Sequence, residues 1–310
     1  MKRSAVLLSA AAALCGCVCE KTLPECTAKA EPAAKHVVLI SIDGCGARWI
    51  PWDAMPNLKA LRDEGVYTVG RCHRPTASAI NWKSVFSGIS PEIHGFTKWN
   101  SASPSIEPPA VAFDAEGRIP CIFSEIRRQT PDAYTVSLFT WDGVGNCHNT
   151  NTVSFVRWYG GAKEEYPARD AAVFEEGARQ LANSPKLMLL YQGGVDSTGH
   201  TYGWGSPEFT NACVNADANI GKFMTALKAT PMWQDTAVMF VADHGGLGKH
   251  HSSVEDVRVL EVPFFVSGPA AKGLRLREPA MLEDVSPTIA ALLGCEIPEN
   301  WRGRAAAVAR

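Results

Sequence analysis

His36-Val37-Val38-Leu39-Ile40-Ser41-Ile42-Asp43-Gly44 is the stretch that decides the fold. Its near-continuous apolar run is how a strand buried on both faces of a parallel sheet reads, because such a strand carries helices over both of its sides. A polar residue, Asp43, ends the run, and the glycine after it frees the backbone to turn. Working outward, similar runs recur at 186–192 (KLMLLYQ), 237–242 (AVMFVA) and 262–266 (VPFFV). The first two lead into Gly, Asp or His rather than into a hairpin turn. Helical patterns lie between them. In the clearest, Ser206 is the N-cap and Pro207 sits in the first turn, with Phe209, Cys213, Ala216, Ile220, Phe223 and Leu227 at three- and four-residue spacing. Residues 55–64, 171–183 and 286–293 read as further helices. Alternating strands and helices predict an α/β fold, a mainly parallel central sheet flanked by helices on both faces in a single domain. Ligands of such sheets gather beyond the carboxyl ends of the strands.

The chain has 310 residues, 46% hydrophobic and 20% charged, enough to bury one large core. Its formal net charge of −2 shows no basic excess, so no nucleic-acid-binding surface is expected and any phosphate binding must be local. Lys2 and Arg3 precede an apolar run at 5–14 that is too short to span a membrane and reads as a targeting leader. Leu14, Gly16 and Cys17 resemble a bacterial lipobox, which implies a lipidated Cys17 and membrane attachment, although Cys15 is atypical there; a plain signal peptide fits nearly as well. The expected organisation is a leader at 1–17, a tether at 18–35 and a catalytic domain at 36–310, exported to the periplasm or cell surface. In an oxidising compartment Cys45, Cys72, Cys121, Cys147, Cys213 and Cys295 can form disulfides, with no pairing singled out. They lack the repeated C-x-x-C spacing of a Cys-ligated zinc site. Residues 100–117, rich in Ser, Pro and Ala, read as a surface loop too short to be a cap domain.

Three segments place Asp or His where a strand should end: Asp43 in SIDG, Asp196 with His200 in DSTGH, and Asp243 with His244 in ADHGG, followed by His250 and His251. A lone Asp after a strand is more often a turn or cap residue, and a lone His more often structural. The threefold pattern favours metal, because hard carboxylates mixed with imidazoles suit zinc at two adjacent sites. Asp196 and His200, four residues apart, can aim at one cation from a single helical turn. Residues 73–88 look like a loop running into a helix N-terminus, a place that favours an anion. Ser78 there is either an N-cap or a metal-activated nucleophile.

Taken in order, SIDG (41–44), PTASAINWKSVFSGISPEIHG (75–95), VDSTGHTYGWGSPEF (195–209), ADHGGLGKHH (242–251) and DVSPTIAALLGCEIPENWRG (284–303) resemble the type I phosphodiesterase/nucleotide pyrophosphatase branch of the alkaline phosphatase superfamily. The resemblance implies an alkaline-phosphatase-like fold and two divalent metal ions, zinc in both sites. It implies that Asp43, Asp243 and His244 bind one metal, and Asp196, His200 and His251 the other. Ser78 falls at the nucleophile position, where many members carry Thr, and Asn81 at that of a donor to a phosphoryl oxygen; Thr76 is the fallback nucleophile, but its spacing to Asn81 departs from the family. The spacing D-H-G-G-x-G-K-x-H selects His251 over His250, leaving His250 to hydrogen-bond behind the ligands. His36, His73, His94 and His148 are left as structural.

The implied reaction is hydrolysis of a small-molecule phosphate ester, a phosphodiester or nucleotide pyrophosphate-type bond, through a phospho-serine. A phosphomonoesterase, a transferase on the same site and an inactive metal- or phospho-ligand-binding surface protein are the alternatives. Ser78-Ala79-Ile80-Asn81-Trp82 lacks the Pro and Arg of the sulfatase C/S-x-P-x-R motif. Ala79 stands where nucleotide-cleaving relatives carry an aromatic, while Tyr191 matches a base-contacting aromatic in some of them; core packing at a strand end accounts for Tyr191 equally well. Trp82, Trp99, Trp141 and Trp204 either wall a pocket or pack the core, and Lys98, Asn100, Asp142 and Lys249 are further candidates for substrate contact.

Overall fold

The computed structural model describes residues 32–102, 109–114, 117–253 and 255–309, so the leader and Cys17 lie outside the described residues. The strands are β1 (His36–Ile42), β2 (Val66–Arg71), β3 (Thr135–Phe139), β4 (Phe155–Trp158), β5 (Leu187–Gln192), β6 (Thr236–Val241), β7 (Glu261–Ser267), β8 (Leu274–Leu276) and β9 (Ala307–Ala309). The helices are α1 (Pro56–Glu64), α2 (Ser78–Ser87), α3 (Pro91–His94), α4 (Ile122–Gln129), α5 (Gly143–Cys147), α6 (Tyr166–Gln180), α7 (Gly194–Tyr202), α8 (Pro207–Lys228), α9 (Val257–Leu260) and α10 (Val285–Leu292).

Seven strands form one sheet in the order β2-β7-β6-β1-β5-β3-β4, with β8 and β9 in a separate ribbon. The apolar run of β1 therefore lies at the centre. It pairs in parallel with β5 and β6, and β3 pairs in parallel with β5 and β4. The strand read at 262–266 departs from the parallel expectation, since β7 runs antiparallel to both β6 and β2. The connection explains this. The connection from Val241 to Glu261 is long enough for a crossover, but among its described residues it forms only the four-residue α9 and no helix laid across the sheet.

Successive side chains of β1 point to opposite faces of the sheet. Val37 and Leu39 join a core with Trp82, Val85 and Phe86 of α2, Ile122 and Ile126 of α4 and Ile289 of α10. Val38, Ile40 and Ile42 join the other core with Leu58 and Leu61 of α1, Val173 and Phe174 of α6 and the apolar stripe of α8. Helix α8 follows its sequence pattern: Ser206 Oγ accepts from Phe209 N at 3.1 Å, and Phe209, Cys213, Ile220, Phe223 and Leu227 are all buried. Burying each large apolar side chain is worth about 1.5–3 kcal/mol, far above the tenths that separate helix propensities.

The folded body starts earlier than the expected boundary at 36. Ala34 is buried and its N–H donates to Leu292 O at 2.9 Å. The described parts of 100–117 contain no helix or strand. Cys45, Cys72, Cys121, Cys147 and Cys213 are buried free thiols. They are held by packing instead; Cys147 Sγ, for example, donates to Gly143 O at 3.2 Å. Among the described residues no helix is long and apolar enough to cross a membrane.

Strand register sets up the site. Ile42 is level with Gln192 and Ser41 with Val241, which puts Asp43 beside the start of the β5–α7 turn on one side and beside Asp243 on the other. Asp43 N donates to Gln192 O at 3.0 Å.

Candidate active site

Beyond the carboxyl ends of β1, β5 and β6, all six expected ligands converge. Ligand atoms of Asp43, Asp196 and His244 lie within 4.8 Å of one another, and so do those of Asp196, His200 and His251, so Asp196 stands between the two groups. Asp243 Oδ2 lies 3.1 Å from His244 Nε2, which is itself 3.7 Å from Asp43 Oδ1. The other atoms of these side chains are occupied. Asp43 Oδ2 accepts from Trp82 Nε1 at 2.8 Å and from the Tyr191 hydroxyl, and Asp243 Oδ1 accepts from Gly44 N at 3.0 Å. His244 Nδ1 lies 3.0 Å from Gly245 O and His200 Nδ1 2.9 Å from Lys249 O. A carbonyl can only accept, so both Nδ1 atoms carry the proton and both Nε2 lone pairs face the cluster, as in metal-binding histidines. His251 stacks on His244 with centroids 3.9 Å apart.

Gly44 makes this approach feasible. Its φ of +69° suits glycine, and a Cβ there would stand 2.9 Å from the Asp196 Cα, Cβ and Oδ1 atoms.

The electrostatics fit a bound cation. Asp196 Oδ1 and Asp243 Oδ2 are buried without a hydrogen-bond partner, and such groups are expensive to leave unpaired. Burial pushes the Asp43 carboxyl up, and pushes Asp196 and Asp243 well above the usual range, with the negative charge of Asp43 adding to both. Burial also lowers His244 to about 3 and His251 to about 2, which keeps them as neutral imidazoles able to ligate. Three carboxylates and three imidazoles facing one another form the donor set of hard-to-borderline divalent metals such as zinc.

Ser78 opens α2, and its Oγ lies 3.1 Å from His244 Nε2 and 3.5 Å from Asp43 Oδ1. Thr76, the fallback nucleophile, turns away, with its hydroxyl donating to His251 O. Asn81 lies on α2 one turn after Ser78. It is 0% exposed, and its Oδ1 accepts from His73 N at 2.8 Å, so it pins the loop that precedes Ser78. Tyr191, expected as a substrate contact, is 1% exposed and fixes Asp43 through its hydroxyl instead. His250 is exposed, and its backbone pairs with Leu247. Lys98, Asn100, Asp142 and Lys249 are exposed, as is Trp99, whereas Trp82 and Trp204 are buried.

The sequence profile of the type I phosphodiesterase / nucleotide pyrophosphatase family matches residues 37–248. The chain belongs to this family. It is 26% identical over 215 residues to venom phosphodiesterase 2 of Crotalus adamanteus, an alignment covering 67% of this chain and 26% of that protein. The chain thus spans about a quarter of the length of the curated relatives it matches. Murine ectonucleotide pyrophosphatase/phosphodiesterase 5 superposes with a TM-score of 0.63 at 15% identity, covering 86% of this chain and 97% of that one. A 2-O GAG sulfatase superposes with a TM-score of 0.67 at 15% identity, covering 87% and 73%. These superpositions show the alkaline-phosphatase-like fold, which family members and sulfatases share.

Within that fold, two supporting groups were not legible as such in the sequence. Trp82 reads as core packing, yet its indole N–H holds Asp43; the available signal is that a buried Trp needs an acceptor. Asp170 on α6 accepts from Thr140 Oγ1 at 2.9 Å, Gly193 N at 3.2 Å and Gly194 N at 3.0 Å, and so caps the helix that carries Asp196 and His200. Nothing local in YPARDAAVFEE distinguishes it from an ordinary helix residue.

Proposed function

We propose that the chain is an exported, metal-dependent phosphoric ester hydrolase that cleaves a phosphodiester or nucleotide pyrophosphate-type bond through a phospho-serine on Ser78. In this reading Asp43, Asp243 and His244 hold one zinc ion and Asp196, His200 and His251 a second. The observation that carries it is the convergence of those six side chains, two with orphaned carboxylate oxygens, around the Ser78 hydroxyl. Family membership and the phosphodiesterase name of a relative support the choice of ester. The leader at Lys2–Leu14 supports export, and Leu14-Cys15-Gly16-Cys17 supports anchoring through a lipidated Cys17.

When bound, two such cations supply charge that favours the ionised hydroxyl and neutralises the entering and leaving oxygens. The chain's own residues do the rest. Trp82 and Tyr191 hold the Asp43 carboxylate, and Asn81 fixes the loop so that Ser78 begins the helix. The first turn of α2 has N–H groups that favour an anion such as the phosphoryl group. Ser78 Oγ forms a bond to phosphorus as the P–O bond to the leaving alcohol breaks, and water then cleaves the phospho-serine to restore the hydroxyl. The absence of Pro and Arg after Ser78 argues against the sulfate esters of the structural neighbours.

The test is metal content together with hydrolysis of bis-p-nitrophenyl phosphate, p-nitrophenyl phosphate and p-nitrophenyl sulfate by the purified chain. Two zinc ions per chain with fastest diester cleavage is the expected result. Preference for the monoester makes it a phosphatase, transfer to an added alcohol makes it a transferase, and bound metal without turnover sinks the enzymatic reading.

A further inference from the structure

Helix α2 also carries a charged group, Lys83, on the turn after Ser78. Lys83 is 3% exposed. Its Nζ donates to Cys147 O at 3.2 Å and lies 5.4 Å from the centroid of the Phe96 ring. An ammonium has three N–H donors, so a carbonyl on one side and a ring face on another leave it undersupplied. Burial lowers its pKa, and the carboxylate acting on it, Asp114, is already engaged by Arg118 at 3.2 Å. A buried cation whose counter-charge is shared with another cation costs more than a fully paired one.

Lys83 is not sealed in, however. It lines a cavity of about 400 Å³ that none of the six candidate metal ligands lines. Ala110, Phe113 and Ile119 form apolar walls, Asn146 supplies a side-chain amide, and Arg118, paired with Asp114, also lines the cavity. The imidazole on the wall, His148, is spent: its Nε2 lies 3.0 Å from Ser137 Oγ and its Nδ1 2.8 Å from Val144 O. The size is that of a small-molecule pocket, mostly apolar with few polar groups.

We propose that this cavity binds an organic monoanion, an apolar body bearing one carboxylate, with Lys83 as its counter-charge. One buried ammonium offsets one negative charge, because the Arg118 guanidinium is already paired with Asp114; a dianion would bring a second, unpaired charge into the same low-dielectric space. The apolar walls take the body of the ligand, and the Asn146 amide offers a further polar contact near the opening. The inference does not rest on the reaction proposed above, because its readout is binding rather than turnover.

Calorimetric titration of the metal-loaded full chain with octanoate, 1-octanol and acetate tests it. Octanol carries the apolar chain without the charge, and acetate carries the charge without the chain, including any attraction to the metals. Octanoate is expected to bind one per chain, about tenfold or more tighter than either control, a difference of ~1.4 kcal/mol. K83M, which keeps the length of the side chain, should bring octanoate down to the level of octanol, while K83R keeps the preference. N146W, an exposed change at the opening, should weaken octanoate without removing the charge, and it stands in if K83M fails to fold. Octanoate affinity unchanged in K83M or N146W, no advantage of octanoate over octanol, or no octanoate binding at millimolar concentration overturns the proposal.

Discussion

The two trios of candidate ligands differ in how they are held. Asp43, Asp243 and His244 are buried, and donors or acceptors from the strand ends and α2 occupy each of their outward-facing atoms: Trp82, Tyr191, Gly44 N and Gly245 O. Asp196, His200 and His251 are partly exposed, the His200 side chain at 36%, and a single carbonyl orients His200. The inner trio is built on parallel strand ends and bears against Ser78. The outer trio sits on a helix and a loop that solvent reaches. Such a division suits a reaction in which the nucleophile must be held still while water and product must pass.

The largest effect separates chemistry from both trios. Ser78→Ala leaves every ligand in place, so the variant should keep its metal and its fold while turnover of the preferred ester falls by at least about 10³-fold. Unchanged turnover would shift the nucleophile to Thr76 or end the covalent mechanism.

Next comes Asp170, which holds the start of the helix under the outer trio. Burial pushes its carboxyl up from 3.8 to about 7, so the folded chain holds this proton more tightly than the unfolded chain does. The resulting stabilisation is complete below pH ~4 and is lost as pH rises through about 7; a shift of some three units is worth at most ~4 kcal/mol. Asp170→Asn has no proton to lose, so the urea midpoint of the metal-free variant should fall less than that of the wild type between about pH 4 and pH 8. The carboxylates of the trios titrate in both chains and cancel. Parallel pH profiles would remove Asp170 from this role.

What the sequence shows follows from the same division. The central strands β1, β5 and β6 are solid apolar runs, and Asp43, Asp196 and Asp243 follow them within a few residues, so both the core of the sheet and the place where these carboxylates gather were legible. Strands β2 and β4 were not, because VYTVGR and FVRW are edge strands with partly exposed faces and no continuous apolar run. The reversed direction of β7 is absent from its composition and resides in the connection before it, which forms only the four-residue α9 among its described residues. The partners that Asn81 and Tyr191 have here, His73 N and Asp43, were not legible, since position in a motif does not say which neighbours a side chain bonds. Asp170 reaches the site only through the packing of α6 on α7, which no local pattern encodes.

Removing one ligand from each trio sharpens the contrast. Asp243→Asn and His200→Asn should each weaken metal binding by about a hundredfold, roughly the share of one ligand in a four-ligand zinc site. Their effects on the metal-free fold should diverge. Asp243→Asn takes a carboxyl away from buried like-charged neighbours and should raise the urea midpoint at pH 8, whereas His200→Asn, half in solvent, should shift stability by less than ~0.5 kcal/mol. Equal destabilisation by both would erase the distinction between an inner and an outer trio.

The smallest effect probes the supports of the inner trio. Tyr191→Phe removes one hydroxyl that donates to Asp43 Oδ2 and leaves the Trp82 bond and the ring packing intact. Residues behind a metal ligand typically contribute ten- to a hundredfold in affinity, and with Trp82 still in place the lower end, about tenfold, is expected. A ring that instead contacted substrate through its face would keep that contact in the phenylalanine variant, leaving metal affinity and KM both unchanged. A zinc titration against a competing chelator therefore decides between a support and a substrate contact, and a loss of affinity at constant KM assigns Tyr191 to the architecture of the site.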